Sequence, residues 1–287
     1  MFEWERVCGA RPAVMGIVNV TPDSFSDGGR FLDPDDAVAH GIELAAQGAD
    51  ALDVGGESTR PGAAPVPADE ELARVVPVVE RLAAATNVPV SVDTTKSAVA
   101  RAALEAGATI VNDVSAGRLD PAILRVTADA GAGYVVMHMQ GEPRTMQVDP
   151  RYDDVVAEVG DFLVERIEFA RAAGVGPGAM AADPGIGFGK TVEHNLQLLA
   201  GLRALAARVE VPVMVGTSRK TFIGRLLAGE TGAPDDLPVD QREEGTLATV
   251  VWAVEQGASI VRVHDVLPAV RAVRLLDAMR VAETGAA

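Results

Sequence analysis

The chain has 287 residues, of which 48% are hydrophobic and 23% charged, a balance that excludes a disordered polypeptide. It holds 25 basic and 41 acidic residues, a net charge of −16; with no basic run among them, nucleic acid is excluded as an expected partner. One cysteine, Cys8, excludes a disulfide framework and a cysteine zinc cluster, and no run of ~18 apolar residues predicts a membrane span.

The start, MFEWERVCG, places acidic residues where a secretory signal needs a positive and then an apolar region, so a cytoplasmic location is expected. Residues 1–13 are expected to cap the bottom of a single domain spanning 14–283. Eight short apolar runs follow: VMGIVN at 14–19, ADALDVG at 49–55, VPVSVD at 88–93, ATIVND at 108–113, GYVVMH at 133–138, AMAAD at 179–183, VPVMVG at 211–216 and ASIVRV at 258–263. They do not alternate cleanly, which predicts strands buried on both faces, as in a parallel sheet. AMAAD is weak by propensity and is assigned from its place in the rhythm. Helices fill the gaps. Asp33 and Pro34 predict a capped helix start, with Val38, Ile42 and Ala45 on its buried face. Gly48, Gly107, Gly131 and Gly257 each precede an alanine and then a strand, which suits glycine just past a helix end. Residues 154–173 predict a longer helix with Val155, Val159, Phe162, Ile167 and Phe169 among its apolar positions. Residues 229–241 predict a loop and 266–281 the last helix. Eight strands alternating with helices favour a closed (β/α)8 TIM barrel over an open sheet with two edges.

Barrel active sites lie at the C-terminal ends of strands. Those ends carry Asn19; Glu57, Ser58, Thr59 and Arg60; Asp93; Asn112 and Asp113; Met137 and His138; Asp183; Ser218, Arg219 and Lys220; Arg262 and His264. Asp93, Asn112, Asp183 and Lys220 suit a flat heterocycle with N–H donors and a carbonyl acceptor. Arg60, Arg262, His264 and Asn19 form a polar corner suited to a phosphate or diphosphate, with Asn19 as an oxygen ligand for Mg²⁺. Zinc spacings and a GxxxxGK[ST] loop are absent, and GIGFGK at 185–190 is weak evidence for a dinucleotide site. The loops 20–31 and 56–68 combine glycine and proline with charged and hydroxyl residues, as do loops that close over substrates.

Several of these strings resemble the dihydropteroate synthase family of folate biosynthesis. They are MGIVNVTPDSFSDGGRF at 15–31, LDVGGESTRPGA at 52–63, SVDTTK at 91–96, VNDVSAG at 111–117, VVMHMQGEPRTMQ at 135–147, DPGIGFGKTVEHN at 183–195, VGTSRKTFIG at 215–224 and RVHDV at 262–266. The resemblance implies a pterin-binding barrel and a transferase. Its expected reaction joins (7,8-dihydropterin-6-yl)methyl diphosphate to 4-aminobenzoate, with release of diphosphate. It implies that Asp93, Asn112, Met137, Asp183, Lys220 and Arg262 meet the pterin, and that Asn19, Thr59, Arg60, Arg262 and His264 meet the diphosphate. Asn19 would also contact Mg²⁺. Phe25, Thr59, Arg60, Pro61 and Ser218 would complete the aminobenzoate side. It further implies a homodimer through helices near 245–256 and 266–281, and sulfonamides as competitors of 4-aminobenzoate. A non-catalytic pterin-binding paralog is the alternative; the intact PDSFSDGG and GGESTRPG loops argue against it.

Overall fold

A computed structural model describes residues 1–21, 34–60, 62–142, 144–231 and 236–284. The strands are β1 (Ala13–Asn19), β2 (Ala51–Gly55), β3 (Val90–Asp93), β4 (Ile110–Asp113), β5 (Gly133–Met137), β6 (Met180–Asp183), β7 (Met214–Val215) and β8 (Ile260–Val263). A short helix, α1 (Glu5–Cys8), precedes them. Around them run α2 (Pro34–Ala46), α3 (Ala68–Ala85), α4 (Ser97–Glu105), α5 (Ala122–Ala130), α6 (Val155–Ala172), α7 (Val192–Ala200), α8 (Leu202–Val209), α9 (Thr221–Thr231), α10 (Glu243–Glu255) and α11 (Val266–Thr284). The sheet is parallel, in the order β6-β5-β4-β3-β2-β1-β8-β7. A parallel bridge between Ala182 and Val213 closes it into a (β/α)8 barrel.

β2, β3, β4 and β8 begin two residues later than their apolar runs, and for β2, β4 and β8 a glycine explains why. At Gly48, Gly107, Gly131 and Gly257 the backbone is at positive φ. The alanine after each donates back five residues, as in Ala49 N–H to Leu44 O at 3.1 Å and Ala108 N–H to Ala103 O at 2.9 Å. The glycine itself donates three residues back, so each Gly-Ala pair closes a helix before the strand starts. β7 is cut to two residues because Pro212 has no N–H for the ladder; its carbonyl still accepts from Ala182 N–H at 2.9 Å. On α2 the buried face is Ala37, Val38, Gly41 and Leu44, while Ile42, expected inside, is 41% exposed. Gly41 sits hard against the Leu82 side chain of α3, which turns the helix and sends Ile42 outward. Phe169 of α6 is exposed as well, beneath the guanidinium of Arg166 at 4.2 Å. Asp154 caps α6 by accepting from Val156 and Ala157 N–H.

The barrel interior is layered. Its lower half is apolar: Ala13, Met15, Ala51, Ile110, Val135, Ala181, Met214 and Ile260 pack with fully buried Trp4. Trp4 Nε1 donates to Ala179 O at 3.0 Å, and Phe2 meets its ring edge-on. Above that layer the interior turns polar. The outer core lies between the strands and the helix ring. Among the described residues, no helix is long and apolar enough to cross a membrane.

Candidate active site at the barrel mouth

The polar layer is organised by Asp53, a fully buried carboxylate of β2. Its Oδ2 accepts from Arg262 Nε of β8 at 2.6 Å and from Asn112 Nδ2 of β4 at 2.9 Å. Arg262 Nη2 also donates to Asp93 Oδ2 of β3 at 2.8 Å. One guanidinium thus bridges two carboxyls across the barrel and fixes Asp93 and Asn112 beside each other. Asp53 Oδ1 and Asn112 Oδ1 are buried with no hydrogen-bond partner among the described residues. Unsatisfied acceptors of this kind mark a place where a ligand donor completes a site. Burial raises Asp93 to about 8; Arg262 opposes the rise and Asp53 adds to it.

Asp183, on β6, is 5% exposed and accepts from Gly185 N–H at 2.7 Å. Burial raises its carboxyl, and the nearby Lys220 ammonium opposes this. Burial lowers Lys220 to about 8, against the pull of Asp183. The Lys220 amine donates to Ile186 O and stands 4.8 Å from the centre of the Phe188 ring. Met137 is buried with Val114, Met139 and Met146, and Phe188 closes that apolar wall.

Above this floor opens a cavity of about 620 Å³. Asn19, Thr59, Arg60, Asp93, Ser218, Lys220, Arg262 and His264 all line it. Asn112, Met137 and Asp183 are not among the residues that line it; Asn112 is level with Asp93 across the β3–β4 ladder, and Met137 with Asp183 across β5–β6. Phe25, Pro61 and most of the loop 20–31 fall outside the described residues, as does Asp33. Ser218 Oγ lies 2.9 Å from His264 Nδ1 and accepts from His264 N–H at 3.2 Å. Burial, then the charges of Arg219 and Arg262, hold His264 well below its ordinary range. His264 therefore enters the site as a neutral imidazole, and the positive charge of that corner comes from arginine. Arg219 is at φ +58 and is braced by a two-point pair with Asp265.

Three features of the mouth were not foreseen from the strand ends. Asp53 lies inside its strand, and its signal was a lone carboxylate in the apolar run ALDVG. Lys190, 3% exposed, has its Nζ 2.9 Å from His138 Nδ1 and donates to Phe188 O at 3.0 Å. Burial drives Lys190 well down; burial and the nearby charges of Lys190 and Arg118 push His138 down to about 2. Lys96 bridges Glu57 and the fully buried Glu71.

The sequence model of the pterin binding enzyme family matches residues 15–264. The dihydropteroate synthase of Mycobacterium leprae is 52% identical over 267 residues, 92% of each chain. Among solved structures, a Yersinia pestis dihydropteroate synthase in a sulfonamide drug complex superposes with a TM-score of 0.88 at 46% identity, over 94% of this chain and 95% of that one. A Xanthomonas albilineans dihydropteroate synthase with 4-aminobenzoic acid gives a TM-score of 0.85 at 52% identity, over 94% and 93%. With matches that run from β1 through β8 and take in every layer of the barrel mouth, the chain belongs to the dihydropteroate synthase family of pterin-binding enzymes.

Proposed function

We propose that this barrel mouth condenses (7,8-dihydropterin-6-yl)methyl diphosphate with 4-aminobenzoate to give 7,8-dihydropteroate and diphosphate. The observation that carries the assignment is the floor: Asp93, Asn112 and Arg262 fixed through Asp53, with Asp183 beside Lys220. These groups offer acceptors for the ring N–H groups and donors for its carbonyl, and Met137 belongs to the apolar wall against the ring face. Arg60, Arg262, His264, Thr59 and Asn19 take the diphosphate in the arginine-lined corner. Phe25, Thr59, Pro61 and Ser218 complete the aminobenzoate side.

The C–O bond to diphosphate breaks first, and the electron-rich ring shares the positive charge. Carboxyl contacts to ring N–H groups strengthen as that charge develops, so they favour the transition state over the ground state. The aromatic amine then attacks carbon and loses its proton, with no strong base required. Closing the two loops keeps water from capturing the cation.

Mg²⁺ fits this site as a companion of the diphosphate. Asn19 Oδ1 and Asp93 Oδ2 each lie 3.9 Å from the point where a Cβ on Gly55 would stand, so the absent side chain of Gly55 leaves two oxygen atoms near each other at the barrel mouth. Asn19 would supply the protein ligand, with phosphate and water oxygens completing the shell. A cation held there would supply charge to offset that of the departing diphosphate.

The compartment in this reading is the cytoplasm. The assembly is a homodimer through α10 and α11, where Trp252, Leu275 and Met279 are about half exposed. Sulfonamides would compete with 4-aminobenzoate and not with the pterin. The test is an equilibrium titration of 4-aminobenzoate with and without a pterin, diphosphate and Mg²⁺, beside an assay for dihydropteroate and released diphosphate. Much tighter binding in the full mixture is expected. Equal affinity in both overturns the order of assembly, and no dihydropteroate from the purified protein overturns the reaction.

A further inference from the structure

The second βα loop leaves the barrel under constraint from its first residue. A Cβ on Gly56 would stand 2.5 Å from Val75 Cγ2 and 3.1 Å from Glu71 Cγ, so the chain leaves β2 pressed against α3. Arg74, also on α3, donates to Gly56 O at 2.8 Å. Glu57 Oε1 accepts from Val66 N–H at 3.0 Å, tying the far end of the loop to its root. Glu57 Oε2 and Glu71 Oε2 both accept from the ammonium of Lys96. Thr59 and Arg60, two and three residues beyond Glu57, line the cavity. Lys96 itself follows Asp93 by three residues, with its N–H on Thr94 Oγ1 at 3.2 Å. It therefore joins the pterin floor to the loop that covers it.

The chemistry of the cluster suits a clamp. Glu71 is fully buried and its Oε1 has no partner among the described residues, an arrangement that is unfavourable unless the other oxygen is held by charge. Burial works against the Lys96 ammonium, but its hydrogen bonds to Glu57 and Glu71 and their negative charges outweigh that and hold the lysine above its ordinary range. One cation thus serves two carboxylates from two different elements.

We propose that Lys96 is a positioning residue of the aminobenzoate side: by bridging Glu57 and Glu71 it fixes the root of the second loop, so that Thr59 and Arg60 face the cavity. This rests on the reading of those two residues given above.

The test uses Lys96→Met/Glu71→Gln, which removes the bridge while leaving the cluster's net charge at its original value. Lys96→Arg is the conservative control. Amide hydrogen exchange at residues 57–60 reads the clamp without any turnover. It should speed at least 10-fold in the double variant while residues of β3 and β4 stay protected as before. In turnover, KM for 4-aminobenzoate should rise at least 10-fold, with binary affinity for a pterin lacking diphosphate held within two-fold. Lys96→Arg should recover most of both changes. Unchanged exchange at 57–60 overturns the clamp. So does an unchanged KM in a folded, active double variant, or a parallel loss of pterin affinity, kcat and β3 protection. Should the double variant fail to fold, Glu57→Gln carries the same readouts with an expected change of about three-fold or more, and no change there overturns the clamp equally. Wild-type protein that makes no dihydropteroate would refute the reaction, while the exchange result would still decide the clamp.

Discussion

Replacing Arg262 by methionine leaves Asp53 and Asp93 facing each other in the barrel without their shared cation. The two lost hydrogen bonds are charge-assisted and short, 2.6 and 2.8 Å, and Asp53 is fully buried. Removing one partner of such a pair costs ~3–5 kcal/mol; Arg262 keeps some contact with solvent, so the lower end, ~3 kcal/mol, is expected. Most of that penalty is the uncompensated charge and should shrink when the charge is removed. In an Asp53→Asn background, Arg262→Met should cost only ~1–1.5 kcal/mol, a coupling of ~1.5–2 kcal/mol. Urea unfolding of the four proteins at pH 7.5 measures it. Costs equal within ~0.5 kcal/mol in the two backgrounds would refute the shared-cation account. Linkage adds a second signature. Asp93, raised to about 8 by burial and by Asp53 against the pull of Arg262, keeps a proton that the unfolded chain has released above its ordinary 3.8. Native stability from this group therefore falls as pH rises between about 4 and 8 and levels above that. Without Arg262 the carboxyl rises further, so the variant's deficit should be flat up to about pH 7 and widen beyond pH 8.

Asp183→Asn replaces an acceptor oxygen by a donor where the proposed reading places the pterin, and should weaken pterin binding by ~2–4 kcal/mol; calorimetry showing a loss under ~0.5 kcal/mol would remove Asp183 from that role. Trp4→Ala opens the barrel bottom and breaks the bond to Ala179 O, so unfolding stability should drop ~3–5 kcal/mol with both KM values unchanged. A shifted KM would mean that the apolar layer transmits strain to the mouth.

The barrel was legible because its local signals agree. Apolar runs marked buried parallel strands, and Gly-Ala pairs marked where helices stop. Even the weak run AMAAD pairs with β5 over Met180–Asp183. The strand-end list brought Asn19, Thr59, Arg60, Asp93, Ser218, Lys220, Arg262 and His264 to one cavity because a closed barrel converges its strand ends. What escaped depends on depth and on pairing across the barrel. Asp53 sits one layer below the strand ends, where a single sequence gives no sign that Arg262, 209 residues away, comes to meet it. The His138–Lys190 and Glu57–Lys96–Glu71 groups join loops from different βα units, and no local spacing encodes them. Charge state was equally hidden: His264 was expected only as part of a polar corner for a phosphate, and burial among arginines holds it well below its ordinary range. Ile42 went astray because helical periodicity cannot register the close approach of Gly41 to Leu82.

Three of the 25 basic residues are lysines, and all three stand at the catalytic end: Lys96 ahead of α4, Lys190 ahead of α7 and Lys220 ahead of α9. Exposed basic positions such as Arg125 and Arg151 are arginines. A lysine-specific endoprotease therefore meets its cleavage bonds only within βα loops whose lysine side chains are already engaged. To cut, it must wait for the mouth to open while the rest of the barrel stays folded. Cleavage by that enzyme becomes a clock for opening of the catalytic face, slowed by whatever ligand holds the face shut. An arginine-specific protease, with targets spread over the whole surface, supplies the background rate.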